Sequence, residues 1–159
     1  MYSDAMGRII GDFGKYHINL IGISLGNVEA TRVGANLPEG RVKNLISLVG
    51  GAKLGFSSWD SLATQQTARN SGCSSVLEYE FILSEFSPIH YIHRINAEKV
   101  FARFGTNDLM IKYNPHGKEL EKALASMNAK EKDIKIYPFS DHCSSIIFSS
   151  MARIHDRVK

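Results

Sequence analysis

The sequence predicts an α/β protein of three layers, with a parallel sheet of about four strands between flanking helices. Three observations carry this. Four short apolar runs fall at residues 17–23, 42–49, 98–104 and 133–137, where buried strands are expected. Each run ends in a glycine, proline or polar turn. The stretches between and around them show helical periodicity, and strands alternating with helices imply parallel pairing through right-handed crossovers. A chain of 159 residues, 43% hydrophobic and 22% charged, is one globular domain's worth.

Taken in order, Ser3 is a plausible N-cap, with Met6, Ile9, Ile10 and Phe13 at helical spacing, so residues 3–14 are predicted as a helix ending near Gly14. Ile18 to Ile23 reads as a strand buried on both faces. It breaks into Gly22-Ile23-Ser24-Leu25-Gly26. Residues 25–36 are predicted as the next helix, closed by Asn36 and Pro38. Val42 to Val49 is the second strand, ending at Gly50-Gly51. In residues 52–98, Ser57-Ser58-Trp59-Asp60 reads as a cap and Val76 to Phe86 as a helix, with Gly72 between them. Glu98 to Phe104 is the third strand, ending at Gly105-Thr106-Asn107-Asp108. Pro115 is expected to start a helix carrying Leu120, Leu124 and Met127. Asp133 to Tyr137 is the fourth strand. A last helix is predicted over 144–158, with Ile146, Ile147, Met151, Ile154 and Val158 inward.

The segment 22–26 fits G-x-S-x-G, a nucleophile elbow. A serine on a strained strand-to-helix turn projects its hydroxyl clear of the sheet, and glycines two residues to either side remove side chains that would collide there. The turn leaves the Leu25 N–H at a helix start, where it can face an oxyanion. Ligand sites in open parallel sheets lie beyond the carboxyl ends of the strands. Ser24, Asp108 and His142 each follow a different strand there, in the order Ser, Asp, His. On these residues the chain resembles the α/β-hydrolase fold. Gly105-Thr106-Asn107-Asp108 is similar to that family's acid turn, Ser140-Asp141-His142 to its histidine loop, and Ser87-Pro88-Ile89 to the segment leading into the acid strand.

The resemblance implies a serine hydrolase cleaving a carboxylic ester or related acyl bond. Ser24 would be the nucleophile, His142 the general base, Asp108 its partner, and Leu25 an oxyanion donor. No cofactor or metal is implied. Asp141 competes for the acid role. His17, His90, His93, His116 and His155 carry no motif, although His90 or His93 could border the pocket. A cysteine nucleophile at Cys143 would displace the Ser24 elbow. Residues 56–96 are read as a helical cap within a single domain spanning 1–159. Its Trp59, Tyr79, Phe81, Phe86 and Tyr91 fit either an apolar acyl pocket or packing of the cap itself.

The family's elbow follows its fifth strand, whereas here it follows the first, so the resemblance is to the C-terminal half of the fold. The loop supplying the other oxyanion amide belongs to the half that is missing. Asn27 and Ala97-Glu98 also depart from the family pattern, which often has a small residue and a proline there. A second reading is therefore a non-catalytic remnant or interaction module, and a third is a fragment of a longer protein. The expected partners are a small acyl substrate and either a second copy or a chain carrying the absent half. They would meet through strand 17–23 and helix 3–14, because an apolar edge without lysine or proline favours association. The net charge of +3 is scattered, without a basic stripe, so nucleic acid is not expected as a partner. No apolar run approaches a membrane span. Two cysteines, Cys73 and Cys143, form no metal spacing or disulfide framework, which fits a reduced, cytoplasmic setting.

Overall fold

The structure, a computed structural model, describes residues 16–150. Four strands form one parallel sheet in chain order: β1 (Ile18–Ile23), β2 (Val42–Leu48), β3 (Ala97–Gly105) and β4 (Glu131–Tyr137). Helix α1 (Gly26–Asn36) connects β1 to β2, and α5 (Lys118–Ser126) lies between β3 and β4. Between β2 and β3 the chain forms α2 (Leu54–Asp60), α3 (Gln65–Arg69), α4 (Val76–Leu83) and three short 3-10 turns. Helix α6 (His142–Ser150) follows β4. Among the described residues, no helix is long and apolar enough to cross a membrane.

Alternation along each strand sends successive side chains to opposite faces, and each face has its own core. On one, Leu20, Leu45, Val100 and Phe104 pack with Val33 of α1 and with Leu120 and Leu124 of α5. On the other, Ile46, Leu48, Val49 and Phe101 pack with Ile146 of α6. The central strands β2 and β3 are buried on both faces apart from Lys43, Glu98 and Lys99 near their starts, which are partly exposed. The first strand is not. Leu20 is buried, but Ile21 and Ile23 on the opposite face are 47% and 43% exposed. This corrects the expectation of two-sided burial. Among the described residues β1 is an edge strand, and α6 packs on β2 and β3 without extending over it.

Asn114 is extended (φ −106, ψ 116), as a residue preceding proline tends to be, and from Pro115 a helical turn leads into α5, as expected. One helix start differs from expectation. Helix α6 begins at His142 rather than residue 144, because Asp141 caps it: its Oδ1 accepts the Ser144 N–H at 2.7 Å. Within that helix Ile146 is inward, but Ile147, the next residue around the helix, is 52% exposed. Met151, Ile154, Val158 and the helix expected at 3–14 lie outside the described residues.

The helices between β2 and β3 are tied to one another and to the turn before α5 by polar groups. Ser87, fully buried, accepts the Leu54 N–H at 2.8 Å and donates to Glu80 Oε1 at 3.1 Å. Glu80 Oε2 accepts the Phe56 N–H at 3.0 Å. His116, also buried, meets Asp60 Oδ2 at 2.9 Å and so fastens the end of α2 to the turn before α5.

Candidate active site

Ser24 is the residue at which β1 ends. Its φ of +52° lies in the left-handed region, a conformation that costs a non-glycine residue on the order of 1–3 kcal/mol and is held only by its surroundings. Those surroundings are specific. The Ser24 N–H donates to the Leu48 carbonyl at 2.9 Å, and its own carbonyl accepts the Asn27 N–H at 3.1 Å. Glycine at position 22 is required by close approach, since a Cβ there would stand 2.7 Å from Asn27 Cα. At Gly26 the expectation is corrected: a Cβ there would meet nothing within 4 Å. Leu25 occupies the N-cap of α1, so its N–H belongs to the positive end of that helix.

The acid lies on the turn after β3. Gly105 admits this turn, because a Cβ would overlap the Ser140 carbonyl and the Ser145 hydroxyl. Asp108 is 3% exposed, and its carboxylate accepts three hydrogen bonds. Oδ1 takes the N–H groups of Met110 and Ile111, both at 2.8 Å, and Oδ2 takes His142 Nδ1 at 2.7 Å. A carboxylate can only accept, so Nδ1 carries the imidazole proton and Nε2 is left as the basic nitrogen.

His142 stands in the first turn of α6, its side chain 13% exposed. It shares one cavity of about 150 Å³ with Ser24. That is the size of an engineered cavity known to take benzene, so the room suits a group of a few heavy atoms. Its apolar walls come from Leu25, Val28, Leu54, Met110 and Ile111, and Ser57, Ser58, Ser61 and Thr64 add hydroxyls. The structure therefore brings Ser24, Leu25 and His142 to one cavity, with Asp108 behind the histidine.

The other candidates separate from this group. Asp141 is the α6 cap, and the Ser144 N–H and hydroxyl hold its carboxyl below the usual carboxylate range, with lesser help from the Cys143 N–H and the His142 charge. Cys143 is exposed and free and is not among the lining residues, and neither are His90 and His93. His116 is engaged with Asp60. His155 lies outside the described residues. The aromatic residues between β2 and β3 do not line the cavity either. Trp59 packs on Tyr79 at 5.7 Å, Phe86 lies under the Arg32 guanidinium at 4.8 Å, Tyr91 donates to the Glu85 carbonyl, and Phe81 is 80% exposed. Of their two readings, packing prevails for Trp59, Tyr79, Phe86 and Tyr91, and exposed Phe81 fits neither. The residues that do form the walls, Leu54, Met110 and Ile111 among them, carry no motif. Asn27, visible in sequence only as a departure from a family pattern, proves to be buried directly beneath the elbow at 2% exposure.

No protein-family model matches the chain, and no curated protein sequence matches it. Solved structures do. An acetyl xylan esterase from Thermoanaerobacterium sp. superposes with a TM-score of 0.68 at 18% identity, over 98% of this chain and 49% of that one. An acetyl xylan esterase from Paenibacillus sp. gives 0.65 at 15% identity, over 89% of this chain and 44% of that one. The acylaminoacyl peptidase of Pyrococcus horikoshii gives 0.61 at 18% identity, over 82% and 21%. These proteins have the α/β-hydrolase fold, and the chain shares that architecture over most of its own length, matching only a part of theirs. It spans between about a fifth and a half of the length of the structures it matches.

Proposed function

We propose that this half of an α/β-hydrolase fold is a serine hydrolase that cleaves a small carboxylic ester through an acyl-enzyme. The observation that carries this reading is the shared cavity: Ser24, on a left-handed strand-to-helix turn, opens into the same space as His142, whose far nitrogen is held by buried Asp108. Ser24 Oγ would add to the acyl carbon while its proton passes to His142 Nε2. The carbonyl π pair moves to oxygen, which the Leu25 N–H would receive. Collapse expels the alkoxide, protonated by the imidazolium, and water attacks the acyl-enzyme by the same steps in reverse order. Asp108 stabilises the imidazolium and keeps its proton on Nδ1. The small cavity supports a short acyl group, and the similar structures, esterases and peptidases alike, support hydrolysis of an acyl bond.

The test is hydrolysis of a short-chain aryl ester followed against pH. Activity is expected to fall on acidification, because only neutral imidazole accepts the serine proton. A rate that is flat or rising toward acid would count against His142 as the base.

The same reading extends to assembly. Among the described residues β1 pairs only with β2, and its Ile21 and Ile23 are about half exposed. An apolar edge without lysine or proline invites a second strand, and the proposed occupant is β1 of a second copy, antiparallel about a two-fold axis. Sedimentation at micromolar concentration should show a dimer with the β1 amides protected from exchange. A monomer with those amides already protected would end this part of the proposal.

A further inference from the structure

We infer that Asn27 is a positioning residue for the oxyanion-binding amide, its carboxamide fixing the peptide that joins Ser24 to Leu25. The inference rests on the nucleophile assignment made above. Asn27 is 2% exposed, and every polar atom of its side chain is engaged. Nδ2 donates to the Ser24 carbonyl at 2.9 Å and to the Leu48 carbonyl at 3.1 Å. Oδ1 accepts the Ser47 hydroxyl at 2.5 Å; the two carbonyls, which can only accept, set the amide orientation that turns the NH₂ toward them. A socket accommodates the group. A Cβ on Gly50 would stand 2.7 Å from Asn27 Cγ and Nδ2, and one on Gly22 would stand 2.9 Å from Oδ1.

The consequence follows from peptide geometry. The Ser24 carbonyl and the Leu25 N–H are the two ends of one planar unit. Anchoring the oxygen from below therefore fixes the direction of the N–H on the other side. A donor on the carbonyl also polarises the unit and strengthens its N–H as a donor. The Leu48 carbonyl completes the brace, since it accepts both Asn27 Nδ2 and the Ser24 N–H. Asn27 thus joins the elbow to the end of β2 through the peptide whose N–H would meet the developing oxyanion. An alanine here would leave the Ser47 hydroxyl without this partner and the Ser24 carbonyl held by the backbone N–H of residue 27 without the carboxamide, loosening the peptide.

The experiment compares wild type, Asn27→Ala and Ser24→Ala on a short aryl ester, and measures inhibition by a short alkyl trifluoromethyl ketone. Ser24 Oγ adds to the ketone carbon, its proton passes to His142, and the hemiketal oxyanion lies where the transition-state oxyanion would. Deleting a whole oxyanion donor costs about 10²–10³-fold, so misdirecting one should lower kcat about 10- to 100-fold in Asn27→Ala. KM should stay within about twofold, and ketone affinity should fall in parallel with kcat/KM. A merely structural role would lower the active fraction and leave ketone affinity in that fraction unchanged; that result overturns the inference. If Asn27→Ala does not fold, Ser47→Ala carries the test. It releases the carboxamide without altering α1, and a fall in kcat with matching loss of ketone affinity is expected, while unchanged values overturn the inference. If wild type shows no Ser24-dependent hydrolysis, the nucleophile assignment falls and this inference with it. If hydrolysis depends on Ser24 but not on Asn27, only the inference falls.

Discussion

Ser24→Ala and His142→Ala are each expected to lower hydrolysis of a short aryl ester by about 10⁴-fold or more, and the double variant to lose little beyond either single one. The non-additivity is the informative part. Without the hydroxyl, the imidazole has no proton to take; without the imidazole, the hydroxyl is a poor nucleophile at neutral pH. A solvent-exposed serine unrelated to the chemistry would show neither the magnitude nor the coupling. Both variants should keep the wild-type melting temperature to within a few degrees, since Ser24 and His142 border a cavity and lie outside both cores. Ser24→Ala is the better behaved of the two, because alanine tolerates the +52° φ about as well as serine does.

Asp108→Asn is expected to cost about 10⁴-fold in kcat with little change in KM, as the corresponding change does in a complete triad. The reason lies in what surrounds this carboxylate. Its Oδ1 receives two backbone N–H groups, from Met110 and Ile111. An asparagine must keep its carbonyl oxygen there, since its NH₂ would face two other donors. The NH₂ therefore turns toward His142 Nδ1, which must then accept. The imidazole proton moves to Nε2, and the nitrogen facing Ser24 can no longer take a proton. Fold stability should change little, because the two amide hydrogen bonds survive. Asp108→Ala would instead leave both amides unpaired in a buried turn and should lower stability as well, by about 1–3 kcal/mol for each orphaned group. Comparing the two variants by rate and by melting separates the catalytic part of Asp108 from its part in building the turn.

Much of this was legible in the sequence, for physical reasons. Strands β2 and β3 are buried on both faces and so read as largely apolar runs despite Asn44, Ser47 and Arg103, and the elbow and the acid turn are glycine-dependent where backbone or side chains come close to Gly22 and Gly105. The order Ser24, Asp108, His142 follows from strands taken in sequence across a parallel sheet. What escaped depended on neighbours distant in the chain. Strand β1 is expected to be an edge, but Ile21 and Ile23 have the same apolar character as core residues, and only the packing shows that their face is about half exposed. The aromatic residues between β2 and β3 are as compatible with a pocket as with packing until their partners are known. Asn27 carries no motif, because its meaning comes from Ser47, Leu48 and Gly50 on another strand and the turn beyond it. Asp141 sits beside His142 in sequence yet turns to cap α6, while the acid that reaches the imidazole comes from 34 residues away.

The central claim, that Ser24 is an activated nucleophile, is tested most directly by covalent labelling of the folded chain with a fluorophosphonate. Ser24 Oγ should displace fluoride at phosphorus as His142 takes its proton, and the adduct should be found by mass spectrometry on the peptide containing Ser24. Stoichiometric labelling of wild type is expected, disappearing in Ser24→Ala and slowing markedly in His142→Ala. A folded wild-type chain that takes no label, or a Ser24→Ala variant labelled as readily as wild type, would contradict it.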